Sequence, residues 1–173
     1  MKLRPARCVR GINSQPWARY SVKKPRKNYI KALPHTSLLV FKMGTDREDY
    51  NKVMTLEADQ QVQLRSNALE AARQVANKFL EGSIVNNYRF RILVYPHNVV
   101  REKKRAMGAG ADRISQGMTL SFGSPSSVAA RVYKNQRIFE VKLNEANKEV
   151  GRVALKRAAS KLSGTYSIRM YDN

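Results

Sequence analysis

The sequence predicts an α+β protein. Two helices pack on a mostly antiparallel sheet, sandwich- or barrel-like, with an extended basic N-terminal arm and a long internal loop. Three observations predict it. Apolar residues recur at helical spacing in two stretches, 66–80 and 145–162, whereas several other segments alternate. The first 31 residues hold ten Lys and Arg and no Asp or Glu. Between Arg101 and Gly117 a basic run passes into small residues without either periodicity. The expected division is an arm over 1–34 and one domain over 35–173, with the loop 101–117 set into it.

Pro5, Pro16, Pro25 and Pro34 block a regular helix in the arm and favour extended chain. Its cations Arg4, Arg7, Arg10, Arg19, Lys23, Lys24, Arg26 and Lys27 are candidates to neutralise phosphates. Trp17 and Tyr20, interleaved among them, are candidates to stack on unpaired bases. A solvated tail whose aromatics tuck onto the domain is the plainer alternative.

Residues 38–43 read as a short buried strand, closed by Gly44 and an acidic turn. A helix follows over 66–80, with Leu69, Ala72, Ala76, Phe79 and Leu80 on its stripe, Ser66 as N-cap and Gly82 as stop. From Ile84 to Tyr95 the chain alternates. Tyr88, Phe90, Ile92 and Val94 point one way and Arg89 and Arg91 the other, so a strand would bury one face and present arginines on its back. Residues 118–122, 128–133 and 137–143 read as further strands, the last two joined by a tight turn at Lys134-Asn135. The second helix, over 145–162, carries Ala146, Val150, Val153, Ala154, Ala158 and Leu162 on one stripe and ends at Gly164. Tyr166, Ile168 and Met170 alternate as a closing strand.

The charge balance narrows the function. With 33 Lys+Arg against 13 Asp+Glu, the formal net charge is +20, which asks for a polyanion. Apolar runs are too short to span a bilayer and no apolar stretch follows the basic start, so an intracellular chain is expected. Cys8 stands alone, without an internal disulfide partner or a zinc set. The charge is also segregated. Residues 46–81 hold seven acids and five bases, and residues 89–113 hold seven bases and two acids. The acidic strip is the expected face turned away from a polyanion.

In the internal loop, Arg101, Lys103, Lys104 and Arg105 form a basic stem, and Met107, Gly108, Ala109, Gly110, Ala111, Asp112 and Arg113 form a small-residue tip. Such a stem neutralises phosphates while the glycines let backbone amides approach closely. A dinucleotide fingerprint is a poor fit, because Arg113 stands where its third glycine belongs. No catalytic set assembles around His35 or His97, and Asp112 beside Arg113 reads as an ion pair or turn cap. No enzyme, metal or cofactor is expected.

Several blocks resemble a known family: Arg4-Pro5-Ala6-Arg7-Cys8; Ala68-Leu69-Glu70-Ala71-Ala72-Arg73 with Ala76-Asn77-Lys78; Gly108 to Arg113 with Gly117-Met118; Phe122-Gly123 with Pro125; and Ala130-Arg131-Val132. In collinear order over nearly the whole chain they are similar to large-subunit ribosomal protein ten-e, the archaeal and eukaryotic counterpart of bacterial large-subunit protein sixteen. Ending at Asn173 without the extension of eukaryotic members, the chain resembles archaeal ones. Ser124 and Ser127 depart from the family, which often has Lys and Gly there.

The resemblance implies a non-catalytic, cytoplasmic protein of the large ribosomal subunit, bound to 23S-type rRNA near the central protuberance and the aminoacyl-tRNA corridor. It implies that the loop reaches toward tRNA and the peptidyl transferase centre, and that the protein joins late in subunit maturation. Implied partners are rRNA, tRNA by proximity, neighbouring ribosomal proteins and assembly factors, with no membrane. Arg89, Arg91 and Arg131 join the arm and stem residues as rRNA-binding candidates. The rival reading is a free-standing, sequence-tolerant nucleic-acid-binding protein.

Overall fold

The computed structural model describes Pro5, Gly11, Ile12, Lys24, Arg26 and residues 30–47, 49–102 and 123–172. Among these residues the strands are β1 (Lys42–Gly44), β2 (Lys52–Ala58), β3 (Val62–Arg65), β4 (Arg89–Ile92), β5 (Asn98–Glu102), β6 (Ser124–Val132), β7 (Arg137–Leu143) and β8 (Tyr166–Asp172). The helices are α1 (Ser66–Ser83) and α2 (Lys148–Ala159), the latter entered through a 3-10 turn at Glu145–Asn147. One sheet has the order β1-β4-β7-β2-β8 and the other β3-β6-β5. All of these strand pairs are antiparallel, and among the described residues neither sheet closes into a barrel.

The helices lie against each other, α1 backing β3 and β6 and α2 backing β2, β7 and β8. Helix α1 buries Leu69, Ala72, Ala76 and Leu80, spaced three and four residues apart as one helical face requires. Helix α2 buries Gly151, Ala154, Leu155 and Ala158. Gly151 is small because a Cβ there would run into Leu143 and stand 3.0 Å from Met54 Sδ. Opposite the helices, Phe90 of β4 and Phe139 of β7 meet at 5.4 Å between ring centroids. Each such ring contributes about 1.5–3 kcal/mol through burial. Arg157 of α2 lies over the Phe79 ring of α1 at 4.0 Å, closing the rim between the helices.

Several expectations change. The strand expected at 38–43 is β1, Lys42–Gly44; Leu38 is buried, but Leu39 and Val40 are exposed. Arg65, not Ser66, is the N-cap of α1 and supplies no side-chain cap; the Ser66 hydroxyl instead accepts from Ser37 Oγ at 3.3 Å. Gly82 does not stop α1, which runs on to Ser83. The strand expected over 84–95 shortens to β4, although burial still alternates through Tyr88, Phe90, Ile92 and Val94. On α2, Val153 is exposed and Leu155 is buried, because the face packed on β2 and β7 runs through Gly151 rather than Val153. The turn at Lys134-Asn135 is present, with Asn135 at φ 62, but β6 and β7 leave it for different sheets. Strands β2 and β3 lie in the stretch that charge alone had marked as an acidic strip. Residues 118–122 lie outside the described residues.

Candidate nucleic-acid interface

With Met43, Phe90, Val141, Met54 and Ile168 turned toward the helices, strand alternation places another set on the far side of the five-stranded sheet. Its cations are Lys42, Arg89, Arg91, Lys142, Arg137 and Arg169. Register aligns Lys42, Arg91, Glu140, Thr55 and Arg169 in one row across the five strands. Arg89 pairs with Asp46, and Arg91 Nε lies 3.6 Å from Glu140 Oε1.

Arg137 reaches this face through a bulge. Simple alternation along β7 would put it on the side of Phe139, Val141 and Leu143. The ladder slips between Leu56 and Glu57, however, so that Leu56 faces Phe139 while Glu57 faces Arg137. Ile138 is the extra residue, and it is buried in the core.

Glu57 is 3% exposed and fully engaged. Its Oε1 accepts from Thr55 Oγ1 at 3.1 Å and from the Tyr171 hydroxyl at 2.9 Å. Arg137 Nε stands 3.4 Å from Oε1 and Arg169 Nε 3.2 Å from Oε2. Tyr171 sits opposite Val53 in the register yet bonds Glu57, so its ring lies along β2 and covers Thr55, which is 0% exposed. The Arg137 guanidinium then stacks on that ring at 4.6 Å.

On the three-stranded sheet, β5 and β6 pair with Glu102 opposite Ser124, so the two ends of the internal loop leave the sheet side by side. Arg101 and Glu102 belong to β5 rather than to the loop. Arg101 Nη1 donates to Gly123 O at 3.1 Å, tying one end of the loop to the other. Burial holds the Arg101 guanidinium below its usual pKa, but arginine stays a cation. The end of the arm also docks here. Ile30 is 1% exposed and packs with Val99 and Val128, ahead of the expected boundary at residue 34. A groove of about 450 Å³ opens between Ile30, Leu33, Pro34, Arg101 and Pro125. On the same sheet, Arg131 Nε and Arg65 Nη2 are buried without a hydrogen-bond partner among the described residues.

The structure therefore brings Arg89 and Arg91 together on one sheet face and puts Arg101 and Arg131 on the other sheet. Lys24 and Arg26 are exposed. Arg4, Arg7, Arg10, Trp17, Arg19, Tyr20, Lys23, Lys27 and all of Lys103 to Arg113 lie outside the described residues. Asp46, Asp49 and Glu81 of the expected away-facing strip are exposed, but three of its other acids are engaged. Glu57 is internal, Asp59 accepts from Ser167 Oγ at 2.5 Å, and Glu70 is held by Arg73 at 2.6 Å. Sequence reading passed over Arg137 and Arg169. The alternation of Tyr166, Ile168 and Met170 would have put Arg169 on the outer face, but nothing in the sequence announces the bulge that turns Arg137. No three His, Cys, Asp or Glu among the described residues could hold a metal ion. No described helix is long and apolar enough to cross a membrane.

Two helix-backed antiparallel sheets carrying an excess of guanidinium groups define a small, strongly basic α+β protein. Residues 17–169 match the family described as Ribosomal protein L16p/L10e, and the chain belongs to that family. It is 42% identical over 163 residues to the large ribosomal subunit protein uL16 of Staphylothermus marinus, covering 94% of this chain and 90% of the relative. The uL16 protein of Archaeoglobus fulgidus is 43% identical over 147 residues, 84% of each chain. That of Hyperthermus butylicus is 39% identical over 171 residues, covering 98% of this chain and 94% of the relative.

Proposed function

We propose that the protein is a structural, non-catalytic constituent of the large ribosomal subunit. In this reading it binds 23S-type rRNA near the central protuberance and the aminoacyl-tRNA corridor, in the cytoplasm, beside neighbouring ribosomal proteins. The loop 103–117 reaches toward tRNA and the peptidyl transferase centre, and the protein supports translation and late subunit maturation with the help of assembly factors. The observation that carries this reading is the family match over residues 17–169, together with relatives named as large ribosomal subunit proteins. The net charge of +20 supports it, because a polyanion must balance that excess. The β5–β6 hairpin supports the role of the loop, since paired strands tied by Arg101 give a long insertion a rigid base.

The arm over 1–34 is the proposed second grip, with Arg4, Arg7, Arg10, Arg19, Lys23, Lys24, Arg26 and Lys27 on phosphates and Trp17 and Tyr20 on bases. Co-sedimentation with large subunits through a sucrose gradient in moderate salt tests the reading. Failure to co-sediment, with equal affinity for duplex DNA and rRNA, would instead mark a free-standing nucleic-acid-binding protein.

A further inference from the structure

We propose that the outer face of the five-stranded sheet is a distinct RNA-docking surface, on which Glu57 holds Arg137 and Arg169 as a preformed fork for a backbone phosphate. The inference rests on the reading of the protein as an rRNA-bound constituent, and it adds a site outside the arm and loop.

Arg137 and Arg169 converge on one carboxylate from opposite sides, β7 and β8 flanking β2. Each offers its Nε edge to a different oxygen of Glu57, at 3.4 and 3.2 Å. Two guanidiniums repel each other unless a carboxylate stands between them, and Glu57 can neutralise only one. The fork keeps a net positive charge while its inner edges are satisfied. Both arginine side chains stay about half exposed, at 49% and 52%, whereas the Glu57 side chain is 5% exposed, so a ligand meets cations and not the carboxylate.

Tyr171 fixes the arrangement from below, bonding Glu57 and carrying the Arg137 guanidinium on its ring. Arginine is suited to this task because its planar array of N–H donors matches phosphate oxygens two at a time. Ordering the side chains before the ligand arrives removes much of the entropy cost of binding. Beyond Glu140, which pairs with Arg91, Lys42 and Arg91 carry positive charge on the same face out to β1, so cations stand at both ends of the sheet, as an extended polyanion requires rather than a single small anion. An acidic protein is the other conceivable occupant, and the experiment separates the two.

The test measures binding of the full chain to protein-free large-subunit rRNA across a range of salt. Losing one phosphate contact in the double variant Arg137→Gln/Arg169→Gln should weaken binding about eight-fold at about 0.1 M salt and flatten the log–log salt slope by about 0.9. The double variant to Lys should keep the slope while still losing affinity, since charge remains and the planar fork is gone. Glu57→Gln separates positioning from bulk charge. It raises net charge by one, so a merely electrostatic face would bind more tightly, whereas a released fork binds more weakly. Thermal unfolding identifies any variant that has lost its fold, and the Lys variant then carries the test.

Wild-type affinity and slope in the Gln double variant, or tighter binding by Glu57→Gln, overturns the fork. So does a Gln double variant that keeps rRNA affinity but loses an acidic neighbouring protein in reconstituted subunits. A wild-type chain that does not bind rRNA at all refutes the broader reading instead.

Discussion

Glu57 on β2 stands directly opposite Arg137 on β7, at the point where the ladder between the two strands slips by one residue. The slip sends Ile138 into the core and turns Arg137 outward, so one irregularity serves both packing and charge. Replacing Glu57 by Ala removes acceptors from Thr55, Tyr171, Arg137 and Arg169 together. The expected loss is about 2 kcal/mol. It falls short of the 3–5 kcal/mol or so for a fully buried pair, because the half-exposed arginines can turn to water. Urea unfolding measures it, and a change below about 0.5 kcal/mol would deny the carboxylate a structural role.

Gly44 makes the second prediction. It sits at φ +80, where a Cβ would collide with the Tyr88 carbonyl oxygen, and that oxygen accepts from Thr45 N at 2.9 Å. Gly44→Ala should cost about 2–3 kcal/mol through backbone strain and a displaced edge strand. Gly82 has nothing within 4 Å of the same added atom. Gly82→Ala should therefore be neutral or stabilising by about 0.5 kcal/mol. Equal melting temperatures for the two variants would contradict the contrast.

Alkaline stability provides the third. Burial first, and the charge of Glu81 second, push the Tyr88 hydroxyl from 10.0 up to about 12. The hydroxyl donates to Asn77 Oδ1 at 2.9 Å. Because the folded pKa is raised, the contribution is complete below pH 10 and is lost as pH climbs from 10 toward 12. Burial raises Tyr166 to about 12 as well, in the same sense. Tyr88→Phe should flatten the decline of stability over that window. A decline identical to the wild type would assign alkaline unfolding to other groups.

The fourth prediction separates the cations of the stem from Arg101 at its base. Replacing Lys103, Lys104 and Arg105 by Ala should flatten the log–log salt slope of rRNA binding by about 2–3, one counterion for each phosphate released. Arg101→Ala instead removes the hydrogen bond to Gly123 O. It should lower thermal stability by about 1 kcal/mol. An unchanged slope in the triple variant would remove phosphate contact from the stem.

Deleting residues 108–113 should leave the melting temperature unchanged while impairing tRNA accommodation or subunit maturation. The loop starts and ends on paired strands, so shortening it leaves both sheets whole. Normal polysomes from such subunits would refute a role for the tip.

How much was legible follows from range. Helix α1 was visible because Leu69, Ala72, Ala76 and Leu80 repeat within one element, and β4 because Phe90 and Ile92 alternate with Arg89 and Arg91. Strand β2 was not visible. Its Thr55 and Glu57 look like surface polar residues, yet Tyr171, Arg137 and Arg169 cover them from strands far along the chain.

The sequence by itself determined the α+β class, the excess positive charge and its crowding in the arm and loop, and the collinear motifs of the family. These depend on composition and on short-range spacing. Only the tertiary structure decided that β6 and β7 part into different sheets, that Arg101 ties the loop ends together, and that Arg137 crosses to the outer face. Each depends on which distant strand lies alongside, and a single bulge reverses the side that local alternation assigns.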